Sequence, residues 1–172
     1  MVRAWMEAGI RDSKTITDGA ILKMAKQIMA TRGVVVKVAY TNMIKYNELY
    51  HKFDSNLNKF LAWLHGRSLN EALKEKKPAW GLLDQFTKQP LVQKYVEGID
   101  FDLQMRTKAE EDPIVAAASI IARATWLQQM KKLEEIAGEK LPKGSGTQAK
   151  EKARQIYERL GEDRMGEFCK LH

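Results

Sequence analysis

The stretch Ile99-Asp100-Phe101-Asp102-Leu103-Gln104-Met105, followed by Thr107-Lys108-Ala109-Glu110-Glu111 and then Asp112-Pro113-Ile114-Val115-Ala116-Ala117-Ala118-Ser119-Ile120-Ile121-Ala122-Arg123, decides the fold class. Its first part is a short strand. Its last part opens with Asp and Pro, a side chain that caps a helix and a ring preset for the first helical position. Ile114, Ala117, Ala118, Ile121 and Thr125 then recur on one helical face. The three adjacent alanines and Ser119 are small enough for a helix to lie close on a sheet. A strand feeding directly into a helix, with acids at the junction, is the unit of an α/β protein.

Working outward, the same alternation recurs. Toward the N-terminus, Leu91–Glu97 reads as a short helix and Ala79–Phe86 as a strand ending in Asp84-Gln85-Phe86. Ile44–Phe53 and Leu57–Leu64 read as helices, with Ser68–Lys76 continuing after a break at Gly66, and Pro78 ends them. Val34–Tyr40 is a β-branched run and the clearest strand in the chain. Residues 18–30 carry Ile21, Met24, Ala25 and Ile28 at helical spacing and stop at Arg32-Gly33. A first short helix ends near Gly9. Toward the C-terminus the long helix is expected to reach Ala137. Leu141–Gly146 is a loop, and Lys150–Leu160 and Asp163–Cys169 are helices. The expectation is one domain over residues 1–172: an incomplete mixed sheet of about three strands, flanking helices, and a helix-rich C-terminal half. The aromatics Phe60, Trp63, Trp80 and Trp126 are expected in the core.

Composition narrows the function classes. Twenty-nine Lys+Arg against 22 Asp+Glu give a formal charge of +7, which favours a polyanionic partner such as nucleic acid. The longest apolar-rich run, Ile114–Ala122, is far below the ~20 residues of a spanning helix, so no membrane association is expected. With one cysteine, Cys169, no internal disulfide can form, and the reducing cytoplasm is the expected setting. His51, His65 and His172 lack metal-type spacing, so no zinc framework is present.

Three sets of residues could carry chemistry. Asp84 closes an apolar strand, and ligands of open α/β sheets bind at the carboxyl ends of strands. Read alone, it is first a turn cap and second a ligand. Glu110-Glu111-Asp112 could supply an oxygen ligand to Mg²⁺, which uses few protein carboxylates and completes its shell with water and phosphate. The same acids also suit a helix N-terminus. Asp12-Ser13-Lys14 and Lys143-Gly144-Ser145-Gly146 each set a cation beside small residues, as a phosphate contact requires.

Taken in order, Gly9–Lys14, Tyr46–Tyr50 with Asn56–Asn58 and Ala62–His65, Leu83–Phe86, Thr107–Glu110, Val115–Arg123 and Leu141–Gly146 resemble the motifs of bacterial ribonuclease HIII, a type 2 ribonuclease H. The resemblance implies a ribonuclease H-like fold. It implies a hydrolase that cuts the RNA strand of RNA–DNA hybrids with two Mg²⁺ or Mn²⁺ ions held by four acids, a metal-activated water attacking the phosphorus. Asp84 matches the third acid. Glu110 matches the fourth, with Glu111 beside it as the alternative. Ser13 and Lys14 match a pair near the substrate backbone, and Lys143 a loop cation. The family's first two acids stand in an Asp-Glu-Val-Gly-Thr-Gly pattern, which this sequence lacks. That pattern is expected upstream of Met1, and the C-terminal end is expected to be clipped. Little or no activity is therefore expected of this chain alone. The alternatives are a non-catalytic module that binds hybrids or duplexes, and a degenerate remnant.

Overall fold

The computed structural model describes residues 2–11, 13–96 and 101–172. The chain divides into two compact units, residues 1–39 with 61–126, and residues 40–60 with 127–172. Among the described residues no helix is long and apolar enough to cross a membrane.

In chain order the elements are α1 (Val2–Glu7), a 3₁₀ turn Ser13–Thr15, α2 (Asp18–Met29), α3 (Met43–Lys52), α4 (Leu57–Glu75), β1 (Trp80–Asp84), a 3₁₀ turn Val92–Tyr95, β2 (Asp102–Arg106), a 3₁₀ turn Ala109–Glu111, α5 (Pro113–Ala137), α6 (Thr147–Leu160), a 3₁₀ turn Glu162–Arg164 and α7 (Met165–Phe168). The opening stretch forms as read. Asp112 caps α5, accepting from the Ile114 backbone N–H at 2.8 Å, and its carbonyl takes the first helical bond from Ala116 at 2.9 Å. The strand before it runs Asp102–Arg106, while Ile99 and Asp100 of the expected strand lie outside the described residues.

β1 and β2 pair in parallel, Trp80 opposite Asp102 through to Asp84 opposite Arg106. Two parallel strands need a long crossover, which residues 85–101 supply. A sheet this small is marginal unless a helix covers it. Here Ala62 of α4, Val92 and Leu103 are buried together, with Leu69, Leu83, Phe86, Tyr95 and Phe101 packed around them.

Four expectations need correction. Val34–Tyr40 has no ladder partner among the described residues and carries no strand assignment. β-propensity measures fit to a pleated, half-buried surface, so without a neighbouring strand it specifies nothing. Gly66 does not break the helix, because α4 runs unbroken from Leu57 to Glu75. A Cβ at Gly66 would collide with that of Tyr95, so this glycine permits close approach of the 92–95 turn. The buried face of α5 is Ala116, Ala117, Ile120, Ile121 and Ala124, whereas Ile114 is 54% exposed. Of the four aromatics only Phe60 is fully buried. Trp80 and Trp126 are exposed, and the buried indole is that of Trp5, which donates to Thr31 Oγ1 at 3.2 Å. Two boundaries also shift: α6 starts at Thr147, and the expected Leu91–Glu97 helix is a single 3₁₀ turn up to Tyr95, Glu97 lying outside the described residues.

In the second unit Asn42 caps α3, accepting from the Lys45 N–H at 2.8 Å. The buried Asn47 side chain holds the C-terminal segment. Its amide donates to the carbonyls of Cys169 at 2.9 Å and Gly166 at 3.3 Å, and its oxygen accepts from Leu171 N–H at 3.0 Å. His172 stacks on Tyr50, ring centroids 3.7 Å apart.

Candidate active site

The acidic site forms where the two strands end. Asp84 is the last residue of β1, opposite Arg106, and the next residue's N–H donates to the Arg106 carbonyl at 3.0 Å. This bond ties both strand ends together. Beyond Arg106 the chain reverses through Thr107 and Lys108. Lys108 adopts φ 55°, ψ 35°, the left-handed region that side chains other than glycine rarely occupy. The reversal delivers the buried Ala109 to Asp84, whose Oδ1 accepts the Ala109 N–H at 3.0 Å. The sequence-distant Asp84 and Thr107–Glu110 are thereby joined by one hydrogen bond.

The three consecutive acids then divide. Asp112 is committed to capping α5. Glu111 is exposed. Glu110 is half-buried, and its Oε2 is buried with no hydrogen-bond partner among the described residues. A carboxylate oxygen removed from water without a partner costs free energy, roughly 1–3 kcal/mol or more for a charged group. Among the described residues no hydrogen-bond donor offsets that cost at Glu110 Oε2.

A cleft of about 630 Å³ opens beside this turn, with Gly9, Ile10 and Arg11 on one stretch of its lining and Lys108, Glu110 and Glu111 on another. Gly9, Ile10 and Arg11 of the first motif and Lys108 and Glu110 of the other thus line one cleft. Gly9 takes φ 79°, ending α1, and Ile10 N–H then bonds the Trp5 carbonyl at 3.0 Å.

Ser13 is buried within its 3₁₀ turn and Lys14 beside it is exposed; Asp12 lies outside the described residues. The turn is held by Arg123 of α5, which donates to the Ser13 carbonyl and pairs with Asp18 at 2.8 Å. Sequence reading assigned Arg123 no role. Its signal was a lone cation closing the uncharged run Ala116–Ala122.

Lys143 belongs to the second unit, exposed in the loop between α5 and α6. That loop is anchored by Glu134, which accepts from Lys140 Nζ at 3.0 Å and Leu141 N–H at 3.2 Å. The Lys140 bond, reinforced by Leu141 and by the Lys143 charge, holds the Glu134 carboxyl below the usual carboxylate range.

His65 of α4 stacks on Phe86 of Asp84-Gln85-Phe86, centroids 5.2 Å apart, and burial pushes its pKa down. It therefore packs beside the acidic strand end as a neutral ring at neutral pH.

The residues present suit a hard divalent cation: two carboxylates on rigid elements, one oxygen without a partner, and open space alongside for water and phosphate. They do not form an all-protein cage. Among the described residues no group of three or more His, Cys, Asp or Glu could enclose an ion.

A family model described as ribonuclease HII matches residues 3–172. Ribonuclease HIII of Protochlamydia amoebophila is 32% identical over 166 residues, covering 95% of this chain and 54% of that protein. Ribonuclease HIII of Chlamydia caviae is 36% identical over 167 residues, covering 95% and 55%. A crystal structure of Bst-RNase HIII in complex with Mn²⁺ superposes with a TM-score of 0.83 at 31% identity, over 99% of this chain and 57% of that one. That of Aquifex aeolicus RNase H3 gives 0.75 at 26%, over 98% and 60%. The chain spans about half the length of the curated relatives it matches.

Proposed function

The chain belongs to the ribonuclease HII family, with the ribonuclease H-like α/β fold of its structural neighbours, and from that premise we propose that it serves the hydrolysis of the RNA strand in RNA–DNA hybrids with Mg²⁺ or Mn²⁺. The observation that carries this reading is the hydrogen bond from Ala109 N–H to Asp84, which ties the strand-end carboxylate to the turn bearing Glu110, whose buried oxygen has no partner among the described residues. Glu110, rather than the exposed Glu111, is the acid this supports as a metal ligand. Bound there, divalent ions would supply charge neutralisation at the scissile phosphate and a more acidic water.

The chain's own residues supply position and charge. The Ala109 N–H fixes Asp84 so that it meets an ion without rearranging. Arg123 fixes the turn that carries Ser13 and Lys14, which we assign to the substrate backbone. Lys143, on the Glu134-anchored loop, is the further cation assigned to nucleic acid. The excess of basic residues supports a polyanionic partner, and a free, half-buried Cys169 fits a reducing cytoplasm. We treat residues 1–172 as one catalytic domain.

Four acids hold two ions in the family pattern, and this sequence carries two of them. The isolated chain therefore binds metal weakly and cleaves slowly or not at all. The test is cleavage of a labelled hybrid by the purified chain with Mg²⁺ or Mn²⁺, beside a full-length ribonuclease HIII. Cleavage far below that of the relative, and lost on Asp84→Asn, is expected. A rate matching the relative overturns the claim of weak activity.

A further inference from the structure

The cleft beside Glu110 holds two cations that the site described above does not use, Arg11 and Lys108. Both are exposed. Elsewhere on this chain cations close to carboxylates pair with them: Arg123 with Asp18 at 2.8 Å, Lys152 with Glu139 at 2.6 Å, Arg164 with Glu167 at 2.7 Å. Arg11 and Lys108 line the same cleft as Glu110 and Glu111, yet neither side chain makes a hydrogen bond or ion pair with any described residue.

Their backbones are fixed although their side chains are unengaged. Arg11 follows Ile10, which is buried and bonded to the Trp5 carbonyl. Lys108 precedes Ala109, which is fully buried and bonded to Asp84. Lys108 also occupies the left-handed conformation, where glycine would cost less, so its position carries a long cationic side chain against the backbone preference. Sparsely populated conformations of this kind cluster at functional sites.

We propose that Arg11 and Lys108 together grip a backbone phosphate of the nucleic acid strand lying in this cleft, adjacent to the phosphate presented to Asp84 and Glu110. The chemistry suits the pair. A guanidinium offers a planar fork to two phosphate oxygens, and an ammonium adds a point charge. Two carboxylates on the cleft lining repel an approaching polyanion, and these two cations offset that repulsion before any divalent ion binds. This inference rests on the hybrid-cleavage reading and deepens it by naming residues that position the strand.

The test measures binding of the full chain to a short labelled RNA–DNA hybrid, in chelator, over a salt series. Each neutralised duplex phosphate contributes a slope of about −0.9 in log affinity against log salt. Arg11→Ala and Lys108→Gly should each weaken binding several-fold and flatten the slope, with the double variant flattening it further. Lys108→Gly, at φ 55°, should leave the melting midpoint level or higher. Lys74→Ala, removing an exposed cation paired with Glu71 on α4, should leave affinity and slope unchanged. If the unaltered chain binds and both cleft variants keep its affinity and slope, the inference is overturned while the hybrid reading stands. Absence of hybrid binding by the unaltered chain overturns both.

Discussion

Asn47 and Glu110 are each borne by a family motif, and each places a polar atom out of water. Every polar atom of the Asn47 amide group that the fold engages meets a backbone partner near the C-terminus: two carbonyls and one N–H. Glu110 has an oxygen that meets none among the described residues. The physical chemistry of the two is the same and their outcomes are opposite. A satisfied buried polar group holds a fold together. An unsatisfied one costs stability, and is retained where something outside the chain completes it. The difference separates a structural motif residue from one available to a ligand, which a motif match alone cannot do.

The largest expected effect breaks the satisfied side. Asn47→Ala leaves three backbone groups without their partner, a loss of about 3 kcal/mol, read by chemical denaturation of the purified chain. A change below about 0.5 kcal/mol, the size of an ordinary surface substitution, would mean that water replaces the amide at no cost and the contrast is empty.

The opposite side should respond in the opposite direction. Glu110→Gln removes a carboxylate with one buried oxygen that has no hydrogen-bond partner among the described residues, so stability should hold or rise by about 1 kcal/mol while any response to Mn²⁺ is lost. A clear destabilisation by Glu110→Gln would place it with Asn47 as a structural residue.

The smallest expected effect concerns His65, between the two cases: stacked on Phe86 and depressed in pKa by burial. Its folded pKa lies below its unfolded value of about 6.5, so the unfolded chain takes up the proton first. The stabilising contribution is complete above that value and is lost as pH falls through the folded pKa. Denaturation midpoints between pH 7 and pH 5 should drop for the unaltered chain and drop less for His65→Phe, which removes the buried titrating ring. Equal drops would assign the pH dependence to other groups.

These residues also mark how far the sequence could be read. Asp112-Pro113 was legible because a cap and a φ-restricted ring act locally. Asp84 and Glu110 were each legible as acids near a strand end, but their approach depends on the parallel pairing of β1 with β2, which the strand sequences do not specify. Gly66 was misread because glycine serves equally as a break and as a point of close approach, and the choice depends on Tyr95, far along the chain. Val34–Tyr40 failed for a similar reason: a strand needs a partner, and propensity carries no information about one. Asn47 went unassigned because its partners are backbone groups of Gly166, Cys169 and Leu171, and Arg123 because its partners, the Ser13 carbonyl and Asp18, lie far from it along the chain. Backbone partners leave no mark in a sequence.

The central claim is that Asp84 and Glu110 form a divalent cation site. Calorimetric titration of Mn²⁺ into the purified chain tests it without requiring turnover. Weak binding is expected that is abolished by Asp84→Asn and by Glu110→Gln and retained by Glu111→Gln. Binding that survives Glu110→Gln and disappears with Glu111→Gln would contradict the account.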